Sequence, residues 1–355
     1  MPAGSPLELF GDKVQRPASM ALAWSGGPIA GMDGSGQMGV VDSMCAVEVA
    51  GGEAALWEES LPLPDLDLYS DPEPTDEEKV VRALHIVRCR QFAEYDPKWD
   101  YVVPTRFCQF NISLFDFEKD STAGLGPPLC TVNQSDWISL QESVNLISMK
   151  ILQSDVGYPI SIYGTVLARD QVDYKCVYLF RRDRDDCQFI TSQDDTLAIT
   201  VTGPCRGLAV TGSMFFEINL KIKDDVSGDS DFSKGVIEHR ATDGTRQLMT
   251  ELLTSWKSTL ELVYTPVPLA VEATLAVNIL KGGSDCFSGE IIAWTTGNTK
   301  NHIILYDSKL TGTRKEIGAG GSVPLSRSLV AVPVDDELVY VFVMVTLKLH
   351  ALSSL

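Results

Sequence analysis

Between Ser213 and Lys223 the chain reads S-M-F-F-E-I-N-L-K-I-K. Met214, Phe216, Ile218, Leu220 and Ile222 share one parity, and Glu217, Asn219, Lys221 and Lys223 share the other. A period of two lays the first set on one face of an extended strand and turns the second toward water. The pattern recurs from about Thr105 to about Val345. It predicts strands at Cys108–Leu114, Ile160–Ala168, Met214–Ile222, Gly235–Arg240, Thr259–Tyr264, Val271–Ile279, Gly289–Trp294, His302–Tyr306, Ser328–Val332 and Glu337–Leu347, with a weaker one at Asn145–Leu152. Lys175–Arg181 is expected to pair with Gln188–Thr191 across a charged hairpin tip. Leu197–Thr202 and Gly207–Thr211 flank the turn signal Gly203-Pro204. Regular spacing with Gly, Asp, Ser and Pro breaks points to an all-β fold, an antiparallel β-sandwich or a distorted barrel. The sandwich is preferred, because so many strands in one open sheet curl or split.

A single helix precedes the strands. Thr75 with Glu78 three residues on makes a capping box. Val80, Val81, Leu84, Val87 and Cys89 follow as an apolar stripe, with Arg88 and Arg90 suiting the helix dipole at the far end. Asp96-Pro97 is expected to end the helix, and its stripe to lie over the sheet. Upstream, Gly, Ala, Ser, Pro and acidic residues dominate, a composition that cannot offset ordering entropy. The expected organisation is a disordered acidic tail over 1–74, helix and linker over 75–98, and the sandwich over 99–355.

Net charge is −19, from 48 acids and 29 bases. The first 75 residues hold twelve acids against Lys13 and Arg16. This balance argues against nucleic-acid binding, which needs clustered Lys and Arg, and against docking on an anionic membrane. No apolar run reaches 18 residues, so no transmembrane helix is expected. Glu8 and Asp12 occupy the place of a basic signal-peptide n-region. The eight cysteines are dispersed with no C-x-x-C pair, so reduced thiols in the cytoplasm and no zinc knuckle are expected.

Candidate chemistry is sparse, and no cofactor or enzymatic activity is expected. Asp224, Asp225, Asp229 and Asp231 crowd eight residues and are weak candidates for calcium, although the D-x-[DN]-x-[DN]-G spacing is absent. Arg181, Arg182 and Arg184 alternate with acids and suit a self-paired tip better than a phosphate clamp. Trp294 and Tyr306 are candidate platforms for a sugar ring. Gly318–Ser322 and Gly282–Asp285 read as turns, since neither precedes a helix with Lys-Ser/Thr. His85, His239, His302 and His350 have no metal-ligand spacing.

Three separated motifs carry a resemblance. They are Asp155-Val-Gly-Tyr-Pro-Ile-Ser-Ile-Tyr-Gly-Thr-Val-Leu-Ala-Arg-Asp170, Val263-Tyr-Thr-Pro-Val-Pro268 running into Glu272-Ala-Thr-Leu-Ala-Val-Asn-Ile-Leu-Lys-Gly-Gly283, and Leu329-Val-Ala-Val-Pro-Val-Asp-Asp-Glu-Leu338. In that order, over about residues 100–340, they resemble the cereal-grass domain of unknown function also found at the C-terminal side of jasmonate-induced ribosome-inactivating proteins. The resemblance implies a plant source, an all-β domain and a stress-associated family with no assigned activity. The Glu-Ala-x-x-Arg element of the N-glycosidase half is not found. His350–Leu355 breaks off the final strand pattern, so an altered edge strand is expected there.

The function expected is a non-enzymatic interaction module with an unidentified protein partner. The alternatives are an accessory role in translational control under stress, and carbohydrate binding by a sandwich face.

Overall fold

The computed structural model describes residues 74–108, 116–122, 131, 133–191, 201–242, 244–279, 286–310 and 313–344. The expected tail falls outside this set, as do most of the expected strands Cys108–Leu114 and Leu197–Thr202, the turn at 282–285, and the chain after Met344.

Helix α1 spans Asp76–Gln91 and opens on the expected box: Glu78 N–H donates to Thr75 Oγ1 at 3.2 Å, and Thr75 N–H to Glu78 Oε2 at 2.7 Å. It ends five residues before Asp96, because the chain turns into a hairpin of β1 (Ala93–Asp96) and β2 (Tyr101–Pro104). Buried Asp96 fixes that hairpin by accepting from the Lys98 and Trp256 amides. The expected stripe does not lie over a sheet: Val80, Leu84 and Val87 are 57%, 50% and 50% exposed. The half-buried positions are Val81, His85 and Cys89, four residues apart and so along one line of the helix.

The domain then runs β3 (Ser143–Ser154), β4 (Ile160–Arg169), β5 (Val177–Arg182), β6 (Gln188–Ile190), β7 (Ser213–Ile222), β8 (Ser230–Arg240), β9 (Met249–Ser255), β10 (Ser258–Val267), β11 (Ala270–Thr274), β12 (Gly289–Thr295), β13 (Asn298–Asp307), β14 (Leu329–Pro333) and β15 (Leu338–Met344). One sheet is ordered β5-β4-β7-β8, with β6 also on β4; a second is β3-β10-β9; a third is β13-β12-β15; β11 and β14 form a ribbon. Every pair of named strands is antiparallel, and no sheet closes into a barrel. Gly207–Thr211, expected as a strand, contributes a single bridge at Val210.

The main core lies between the first two sheets. Ile162, Val166, Phe180, Phe216, Ile218 and Leu220 face Met149, Ile151, Leu260, Leu262 and Tyr264. A second core gathers Phe287, Ile291, Ile303, Leu305, Tyr306, Val330 and Val332, with Ile147 reaching in from β3. β3 therefore feeds both cores, and its sequence alternates weakly because both of its faces are covered. On β4, Gly164 adopts φ 118°, and a Cβ there would run into the Asn219 carbonyl of β7.

The β7 face expected to meet water is covered over its first half, while Asn219 stays exposed. Phe215 and Glu217 are buried beneath Phe107 and Phe117, which come from the segment ahead of the strand domain. Arg169 is fully buried and binds both Glu217 oxygens, Nε to Oε1 at 2.7 Å and Nη2 to Oε2 at 3.1 Å. Its Nη1 donates to the carbonyls of Phe117 and Tyr174. The Phe107 amide donates to Glu217 Oε1 at 2.7 Å. The Phe117 ring sits between two guanidiniums, 3.6 Å from Arg169 Cζ and 4.4 Å from that of Arg106.

A second buried pair, Arg206–Asp170, is also two-pronged, at 2.6 and 2.8 Å. Beside it, buried Glu272 accepts from the Gly207 amide with Oε2, while Oε1 has no hydrogen-bond partner. Burial raises the Glu272 carboxyl above its ordinary range, against weaker pulls from Gly207 and Arg206. The folded chain thus holds this proton more tightly than the unfolded chain does. Its contribution to stability is complete below the ordinary glutamate pKa and declines as pH rises toward the raised folded value. Glu272→Gln keeps an oxygen for Gly207 and removes the charge. Thermal unfolding is expected to show a higher Tm for the variant at neutral pH and no gain near about pH 4. A gain that persists into acid contradicts this.

Candidate functional site

Two segments singled out for their charge meet in space. β5 and β6 do not pair with each other as a hairpin. Both lie along β4, with Arg182 opposite Gly164 and Ile190 opposite Ile160, so Arg184–Asp186 forms a 3-10 kink in one interrupted strand. The kink projects Arg184 toward the β7–β8 loop. Its Nη2 binds Asp225 Oδ1 and its Nε binds Asp229 Oδ2, each at 2.7 Å.

The remaining acids of that loop are engaged as well. Asp224 accepts from the Val226 and Ser227 amides, closing a tight turn. Asp229 also accepts from Tyr163 Oη at 2.7 Å and from the Asp224 amide. Asp231 bridges Lys234 at 3.2 Å and lies 3.7 Å from Lys221. Hydrogen bonds from Arg184 and then Tyr163 hold the Asp229 carboxyl far below the usual carboxylate range. Burial and the bond to Asp229 push the Tyr163 hydroxyl up to about 12. The four carboxylates thus answer protein donors, and no group of three or more His, Cys, Asp or Glu among the described residues is arranged to hold a metal ion.

Between this loop and the β3–β4 turn lies an open bowl of about 650 Å³. Pro159, Ile160 and Ile222 contribute apolar lining, and Lys223 and Lys257 stand among the acids. Val156 is half exposed and Val226, at the turn that Asp224 closes, is 98% exposed. None of the three arginines lines the bowl, and Arg184 reaches it only through Asp225 and Asp229. Arg181 stacks on Tyr178 at 4.5 Å, and Arg182 is buried and pairs with Asp186 at 3.2 Å.

The sugar-platform candidates separate. Tyr306 is fully buried, donates to the Phe287 carbonyl at 2.8 Å and meets the Phe287 ring edge-on. It has no face for a ligand, because its side chain completes the second core. Trp294 is half-buried, 4.9 Å from the His302 ring. It borders a notch of about 20 Å³, room for about one water, next to the buried and unpartnered Thr265 hydroxyl.

The buried histidine belongs to a network that no local motif announces. His239 contacts Glu142 at 3.2 Å and the Tyr264 hydroxyl at 3.1 Å. Burial alone would raise Glu142; bonds from His239 and Thr242 outweigh it and leave the carboxyl below its ordinary value. The network runs from Tyr264 of the main core to the half-buried Glu142 and Thr242.

Residues 143–348 match a family model described as Domain of unknown function (DUF6598). The chain belongs to the DUF6598 family. The match begins at the first residue of β3, so the bowl, both cores and β15 are parts of the DUF6598 domain. The hairpin and the residues covering Glu217 precede it. No curated protein and no solved structure matches the chain.

Proposed function

We propose that this DUF6598 protein is a non-enzymatic interaction module whose partner lays an extended segment across the bowl between the β3–β4 turn and the β7–β8 loop. The observation that carries the reading is Val226. Its apolar side chain stands free in water beside the bowl's lining, on a loop held by hydrogen bonds to Asp224 and Asp229. A braced loop loses little further entropy on association. The bowl volume lies in the range of about 300–1,000 Å³ common for ligand clefts. Apolar lining flanked by charges of both signs suits a peptide segment with an apolar anchor between charged residues. Together with the motif resemblance, we take the setting to be the cytoplasm of a plant cell under stress.

Photo-crosslinking tests this. A photoreactive residue in place of Val226 is expected to capture a discrete protein in an extract of the producing cells. The same residue in place of exposed Thr299, at the start of β13, is expected not to. Arg184→Ala, which unbraces the loop, is expected to weaken the capture. Identical adducts from both positions, or none from position 226, would overturn the proposal.

A further inference from the structure

The segment that anchors α1 carries a reactive arrangement that the bowl does not use. Cys89 Sγ lies 3.5 Å from His85 Nε2, one helical turn back, and 3.4 Å from the Cys108 carbonyl oxygen. The Cys89 and Cys108 side chains are close enough for each to shift the other's titration. Cys108 Sγ also lies 3.2 Å from the Arg106 carbonyl. Both cysteines are reduced and half-buried, so small oxidants have access. We propose that Cys89 and Cys108 are a hydroperoxide-sensitive thiol pair, with His85 as base and Cys89 as attacking sulfur, whose disulfide fastens α1 to the strand domain.

The electrostatics are asymmetric in the direction this requires. The neighbouring Cys108 side chain lowers the Cys89 pKa against the opposing effect of burial. Cys89, then burial, raises Cys108, so it keeps its proton. Arg106 and Glu217 face Cys108 from the domain side with opposite effects. Burial lowers His85, which leaves its imidazole neutral and able to accept a proton near neutral pH. Low thiolate pKa in reach of a second thiol is the usual arrangement of a redox-sensing cysteine.

The chemistry balances. Cys89 thiolate attacks the peroxide oxygen, the O–O bond breaks, and alkoxide or hydroxide leaves and takes up the proton held by His85. The sulfenic acid formed on Cys89 is then attacked by the Cys108 sulfur. The S–O bond breaks, and its oxygen departs as water with the Cys108 proton. Two thiols and one hydroperoxide give a disulfide, water and an alcohol (a second water from hydrogen peroxide). The thiols lose two electrons and the peroxide gains them. The closed loop runs from α1 through the hairpin, so oxidation ties the helix that leads into residues 1–73 to the domain.

The test uses the full chain and hydrogen peroxide. Non-reducing peptide mapping is expected to find a Cys89–Cys108 linkage before modification of the exposed Cys205 and Cys286. Amide exchange within residues 76–91 is expected to slow on oxidation. In Cys108→Ser, Cys89 is expected to stop at the sulfenic acid and be trapped by dimedone; in Cys89→Ser, Cys108 is expected to stay reduced. His85→Ala is expected to slow alkylation of Cys89 at neutral pH by about tenfold, the effect of one pKa unit on the thiolate fraction. Oxidation of Cys205 and Cys286 with Cys89 and Cys108 still reduced overturns the proposal. So does a linkage to any other cysteine, or an unchanged alkylation rate in His85→Ala.

Discussion

Arg169→Ala is expected to lower the free energy of unfolding by about 3–5 kcal/mol, the usual cost of removing one partner of a buried ion pair. The guanidinium has no exposed surface, and each of its three nitrogens donates to a protein acceptor. Its loss takes two charge-assisted bonds from the buried Glu217 carboxylate, which keeps the Phe107 amide and Arg106 Nε at 3.5 Å, and removes a donor from each of the Phe117 and Tyr174 carbonyls. A surface pair would show none of this, since such pairs contribute about 0–1 kcal/mol. Replacing both partners with apolar residues is expected to cost less than the two single changes added together, because no unpaired charge remains. It is not expected to be neutral, because the Phe107 amide loses its acceptor. Urea unfolding of the two single variants and the double variant measures the coupling. Strict additivity contradicts the buried-pair reading.

Phe216→Ala is expected to cost a similar amount, about 3–5 kcal/mol. Phe216 is fully buried on β7, opposite Ala168 of β4 and Ile237 of β8, and its ring lies 5.3 Å from that of Tyr264 on β10. Its removal leaves a cavity between two sheets that are each fixed by ladder hydrogen bonds, so little collapse can fill it. Against a typical total of about 5–15 kcal/mol, either substitution consumes much of the margin of a domain. A loss below about 1 kcal/mol for Phe216→Ala would mean that the sheets do not face each other across this layer.

The alternation on β7 is legible because one parity meets the opposing sheet, which is all that a period of two encodes. The other parity misleads at Glu217. What covers it comes from Phe107 and Phe117, about a hundred residues earlier, and a two-residue period carries no trace of so distant a lid. β3 looks weak in sequence for the converse reason: two cores claim its two faces. β9 has no clean alternation because Leu252 stays exposed while Ser255 is buried against Ser233 and the Lys234 amide of β8. At the bowl, the charges of Arg184, Asp225 and Asp229 are plain in the chain, but their meeting is not. Those partners stand 41 and 45 residues apart, and only the kink between β5 and β6 brings them together. Cys89 and Cys108 look unrelated at a separation of 19 residues until the β1–β2 hairpin folds one back on the other.

The folded unit reaches beyond the family match, with the residues around Phe107 sealed onto Glu217 and Arg169. Backbone amide exchange at Phe107 in the full-length protein reads this directly. Exchange as slow as in the centre of β7, governed by global unfolding, is the predicted result. Exchange at the rate of an open loop would show that Glu217 has no such cover, and would contradict the architecture described here.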